Sequence, residues 1–171
     1  MARKSRQVET RMISEYLKEN YSEFSYILNI PLGSVSEQLM KEEGYKRALG
    51  LSRPFRPMAD AVVILPNYLL LIEAKVWNVV NGLAKLPLYK SLAPVTPELQ
   101  QYMPRGVIMQ LVVGWTNPNL QIMARAADVV LKVYRPLWLE EVVESMHMYW
   151  TREYRDTREK KLAMRDFFGV D

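Results

Sequence analysis

The chain has 171 residues, 49% apolar and 25% charged, the balance of a globular protein long enough to bury a core. It has no cysteine, which excludes disulfides and thiolate metal sites, and no apolar run approaches the ~18 residues of a membrane span. The net charge of +4 favours a polyanionic partner without fixing any chemistry. The N-terminal "MARKSRQVET" is basic but leads into no signal-type apolar stretch. The expected setting is therefore intracellular and cytoplasmic, compatible with a virus-encoded protein.

Residues 6–20, "RQVETRMISEYLKEN", read as an amphipathic helix. Val8, Met12, Ile13, Tyr16 and Leu17 share one half of a helical wheel, and Arg11, Glu15 and Lys18 share the other. Glu9 falls in the middle of the apolar arc, an odd place for a carboxylate. Residues 24–30 then predict a strand ended by Pro31. Ser34-Val35-Ser36-Glu37 fits a capping box opening a second helix, which should weaken at Gly44. "YKRALGLSRPFRPM" reads as a Pro- and Gly-containing connection that carries Lys46, Arg47, Arg53 and Arg56.

Two almost purely apolar runs follow, 61–65 and 69–72, with Pro66-Asn67-Tyr68 as turn material between them. A helix is expected over 77–89, kinked or shortened by Pro87, and "TPELQQYM" predicts another short helix. The β-branched runs 107–115 and 128–134 read as two more strands, separated by the turn "TNPN" and a short segment containing Arg125. From Leu137 onward, Trp138, Val142, Met146 and Tyr149 have helical spacing. The charged continuation "TREYRDTREKK" is solvated or belongs to an interface. Strands interleaved with helices indicate a single α/β domain built on one central sheet.

The apolar pair carries three charges. Asp60 opens the first run, and Glu73 and Lys75 close the second. Burying a charge costs several kcal/mol unless it is paired, hydrogen-bonded or bound to metal. In a strand, residues i and i+2 share a face, so Glu73 and Lys75 point the same way. A hairpin with an even-length loop puts Asp60 on that face too, and an odd loop puts it on the other. The even case assembles two carboxylates and one ammonium, a set of oxygen ligands that suits a hard divalent cation.

Asp60, twelve intervening residues and then Glu73-Ala74-Lys75 resemble the core motif of the PD-(D/E)XK nuclease superfamily, and the element order is similar to its αβββαβ restriction-endonuclease-like core. Glu9 matches the acidic residue that many members carry on their first helix, Holliday-junction resolvases among them. "KLPLY" is similar to a Gln-x-x-x-Tyr element of some exonuclease members, with Lys85 in place of Gln. The resemblance covers 6–134, with 31–57 as an insertion. It implies a central mixed sheet flanked by helices and a metal-dependent deoxyribonuclease. Glu9, Asp60, Glu73 and the Ala74 carbonyl would hold Mg²⁺, with Mn²⁺ as substitute, and Lys75 would orient the attacking water. Compact size suits a resolvase, a phage or mobile-element nuclease, or a small restriction-type enzyme.

Beside these expectations stand plainer ones. The hairpin charges could meet solvent as ordinary ion pairs, and the helix dipole alone favours Glu9 near a helix start. Lys46, Arg47, Arg53, Arg56 and Lys85 could contact DNA phosphates, the first four equally as a solvated loop. Trp77 and Tyr89 could stack on a base. His147 receives no role. The competing class is a non-enzymatic interaction module with the same fold, for example in a virus particle. The helical end over 137–168, with Phe167 and Phe168, is expected to form a homodimer interface.

Overall fold

The structure, a computed structural model, describes residues 2–145 and 152–168. The amphipathic pattern near the N-terminus forms helix α1 (Ala2–Asn20). Its apolar arc is buried through Met12, Ile13, Tyr16 and Leu17. The β-branched and apolar runs form strands β1 (Ser25–Pro31), β2 (Met58–Ile64), β3 (Tyr68–Lys75), β4 (Gly106–Val113) and β5 (Val129–Val133). They lie in chain order in one five-stranded sheet. β1–β2 and β2–β3 are antiparallel, whereas β3–β4 and β4–β5 are parallel. The sheet is therefore mixed.

Helices α2 (Glu37–Glu43) and α3 (Tyr45–Ser52) stand between β1 and β2, and the two parallel connections run through α4 (Val79–Leu92) and α5 (Pro118–Ala126). Leu83, Leu86 and Tyr89 of α4 join Val62, Leu69, Leu71, Met109, Leu111 and Val113 in one buried cluster. Each such side chain contributes about 1.5–3 kcal/mol. α1 lies against β2 and β3. The buried Gln110 amide on β4 donates to the Tyr16 hydroxyl on α1 at 2.8 Å, which satisfies a polar group that would otherwise be costly inside.

The β2–β3 hairpin fixes the site. Leu65 N–H donates to Tyr68 O at 3.1 Å, closing a two-residue loop at Pro66-Asn67. Ala61 pairs with Ile72 and Ile64 with Leu69. One step further in this register, Asp60 lies opposite Glu73, so the even-loop arrangement is the one adopted.

Four expectations are corrected. The helix expected from a Ser34 cap starts later, capped by the Ser36 hydroxyl, which accepts from Leu39 N–H. The connection after Gly44 is helical, because Gly44 at φ 75° turns the chain and Ala48 then anchors α3 in the core. Pro87 does not shorten α4, which runs past the expected end at residue 89 to Leu92. The ~3 kcal/mol cost of an interior proline is outweighed by three buried anchors, Leu83, Leu86 and Tyr89. The "TNPN" segment is followed by a full helix, α5, whose cap is the Asn117 side chain accepting from Leu120 N–H.

The chain divides into two compact units, Met1–Tyr134 and Arg135–Asp171. The first contains the whole sheet. The second contains α6 (Leu137–Ser145), with Leu139 and Val143 buried, and α7 (Arg152–Phe168). The described α7 side chains are exposed, Leu162 and Met164 included. His147, Met146 and Tyr149, and the side chains of Phe167 and Phe168, lie outside the described residues. Among the described residues no helix is long and apolar enough to cross a membrane.

Candidate active site

Three elements meet where β3 ends. Glu73 and Lys75 project from one face of β3, Asp60 stands opposite on β2, and Glu9 reaches in from α1. Lys75 Nζ lies 3.0 Å from Glu73 Oε1, 3.3 Å from Glu9 Oε2 and 3.9 Å from Asp60 Oδ2. It also donates to its neighbour's carbonyl, Ala74 O, at 3.0 Å. Ala74 N–H donates to Asp60 Oδ2 at 2.8 Å, and Val76 N–H donates to Glu9 Oε1 at 3.2 Å. Lys85 on α4 brings a second ammonium within 3.7 Å of Glu73 Oε1. These five side chains, with Asn29 of β1, line an open cavity of about 340 Å³.

The charges are unequal in surroundings. The Glu73 side chain is 2% exposed, and its Oε2 is buried with no hydrogen-bond partner. Burial and then the neighbouring Asp60 charge push its carboxyl up to about 7, against the pull of Lys75 and Lys85. Burial also raises Glu9, more than Lys75 and the Val76 N–H lower it. For Lys75, burial alone would favour the neutral amine. Glu73, Asp60 and Glu9 outweigh that and hold it above the usual lysine range, so it remains an ammonium.

A pH dependence of stability follows from Glu73. A carboxyl raised on folding binds more protons folded than unfolded, so its contribution is largest below the unfolded value of 4.5 and is lost as pH rises through about 7. Denaturation midpoints should therefore carry a falling component across that window, and Glu73→Gln should remove most of it. A window unchanged by the substitution would contradict the assignment.

The oxygen set bears on metal chemistry. Among the described residues no three His, Cys, Asp or Glu side chains form a metal cage by themselves; the Lys75 ammonium stands among the carboxylates. Asp60, Glu73, whose Oε2 has no partner, and the Ala74 carbonyl are oxygen donors of the kind Mg²⁺ takes, one or two carboxylates with several waters kept. Each Glu9 oxygen accepts one hydrogen bond, from the Lys75 ammonium and from Val76 N–H, so Glu9 also holds the lysine and the strand end.

The basic residues divide. Lys46 and Arg47 are exposed on α3, with Arg47 paired to Glu43 at 2.8 Å. Arg53 is exposed and donates to Asn29 O at 3.1 Å, which sets a cation at the cavity edge. Arg56 is corrected as a phosphate contact. It is buried, grips both Glu98 oxygens at 2.8 and 2.7 Å, and donates to Pro31 O at 2.9 Å. Tyr89 is likewise buried and has no face for a base. Burial foremost, then the charges of Glu73 and Asp60, holds its hydroxyl protonated well above the ordinary range.

Asn29 was not singled out by sequence. It is left-handed at φ 49° within a strand, and the β1–β2 register brings it opposite Asp60 at the one step where pairing lapses. The only signal available was its residue type, since asparagine tolerates that conformation better than other side-chain-bearing residues.

No family model matches the chain, and no curated protein matches its sequence. Among solved structures, a repair endonuclease from Pyrococcus abyssi aligns with a TM-score of 0.46 at 11% identity, over 74% of this chain and 46% of that one. A protein of unknown function aligns with a TM-score of 0.41 at 11% identity, over 72% of this chain and 55% of its own. The chain thus spans about half the length of either neighbour. At these scores neither match bears on chemistry, and the α/β class rests on the sheet itself.

Proposed function

We propose that the chain is a divalent-cation-dependent phosphodiesterase acting on DNA, with Asp60, Glu73 and Lys75 at its centre. The observation that carries this reading is the Lys75 ammonium set among three carboxylates in an open cavity, beside a buried Glu73 oxygen with no partner. Asp60, Glu73 and the Ala74 carbonyl would hold Mg²⁺ or Mn²⁺, which would supply Lewis acidity at a phosphate oxygen and favour deprotonation of water. Lys75, kept protonated by its neighbours, cannot serve as the base. It donates hydrogen bonds, orienting the attacking water and stabilising charge that builds on the phosphate oxygens. Arg53, Lys85 and Lys46 provide exposed or half-exposed cations for backbone phosphates, which give affinity without sequence information.

A second reading, a non-enzymatic interaction module, has one observation in its favour. Three carboxylates and two ammoniums largely neutralise one another at the site, which a purely structural charge cluster would also do. Asp60→Asn separates the two. It should lower DNA cleavage at ordinary Mg²⁺ concentration and recover in part with excess Mn²⁺, because the lost group serves metal affinity. Cleavage unaffected by Asp60→Asn with either metal would remove this site from the reaction.

A further inference from the structure

Asn78, left-handed at φ 51°, turns the chain from β3 into α4, and the first turn of that helix comes back over Lys75. Gly82 is the residue at the crossing, and it is buried. A Cβ placed there would stand 2.5 Å from Lys75 Cγ, 3.4 Å from Lys75 Cδ and 3.3 Å from Leu111 Cδ1. Contacts below 3.0 Å essentially do not occur, so the lysine stem would have to move. Its far end is not free to follow, because Nζ is held by Glu73, Glu9 and the Ala74 carbonyl. Glycine is also the weakest ordinary helix former, disfavoured by about 1 kcal/mol against alanine. Local propensity therefore argues for another residue at this position, and the space above Lys75 argues for none.

We propose that Gly82 is a positioning residue: the absence of a side chain there leaves the channel in which the Lys75 stem lies, so that its ammonium reaches all three carboxylates at once. Its catalytic meaning rests on the phosphodiesterase reading, whereas its structural content does not.

The test is a thermal cycle. Gly82→Ala should lower Tm by several degrees in the wild-type background. In the Lys75→Ala background, which lacks Cγ and Cδ, the same substitution should lower Tm clearly less, or raise it, because only the 3.3 Å approach to Leu111 Cδ1 then stands against the gain in helix propensity. Equal shifts in the two backgrounds, or a rise in both, would overturn the proposal. If Lys75→Ala does not fold, a crystal structure of Gly82→Ala decides: Lys75 Nζ should have left Glu73 Oε1, and a retained 3.0 Å contact would overturn it. Neither readout needs activity, so failure of the phosphodiesterase reading would be seen separately, as wild-type protein that cuts nothing. Where wild type does cut, Gly82→Ala should slow cleavage toward the Lys75→Ala rate with DNA affinity unchanged, and a retained rate would count against the proposal.

Discussion

Lys75→Ala is expected to slow DNA hydrolysis by ~10²–10³-fold, equivalent to about 3–4 kcal/mol of transition-state stabilisation, while leaving DNA affinity largely intact. The division follows from where the groups sit. The Lys75 side chain is 14% exposed and its ammonium lies against carboxylates, so it contributes little to the long-range attraction of DNA, which falls to exposed cations such as Lys46 and Arg53. Its removal also takes from Glu73 the nearest charge that favours ionisation, so in the metal-free protein the Glu73 carboxyl should move further up. Single-turnover cleavage, with binding measured without metal, checks the division. A variant that cuts at the wild-type rate would show that the lysine is only a structural counter-ion.

Arg56→Ala should be the most destabilising of the single substitutions considered. Breaking a buried ion pair by removing one partner costs about 3–5 kcal/mol. The low end applies here because the Glu98 side chain is 23% exposed and can recover some hydration. At roughly 2–4 °C per kcal/mol for a chain of this size, Tm should fall by about 6–12 °C. Pro31 O and both Glu98 oxygens lose their donors together, so β1 loosens from the segment that carries Glu98. The salt dependence of DNA binding should not change. A protein of unaltered Tm with a salt slope flatter by about one would instead restore Arg56 as a phosphate contact.

The site was legible in the sequence to the extent that it depends on short periodicities. A two-residue alternation places Glu73 and Lys75 on one face, the short turn Pro66-Asn67-Tyr68 between two apolar runs leaves the hairpin two parities, and helical spacing puts Glu9 on the inner side of α1. Other features depend on tertiary partners. Arg56 looks like any arginine of a basic loop until its partner, 42 residues away, is known. Pro87 and Gly82 both contradict helix propensity, and only the packing of α4 over the sheet explains why one is tolerated and the other fits. The 45–52 stretch reads as loop in the sequence because Gly50 lies within it and Gly44 and Pro54 flank it, yet burial of Ala48 goes with a helix there.

The most direct measurement is cleavage of DNA by the purified wild-type chain, with linear, circular, branched and single-stranded substrates, in the presence of Mg²⁺, of Mn²⁺ and of a chelator. Hydrolysis with either metal, its absence with the chelator, and its loss in Lys75→Ala are the expected results. Intact DNA in every form with both metals, from protein shown to be folded, would contradict the phosphodiesterase reading and leave the interaction module in its place.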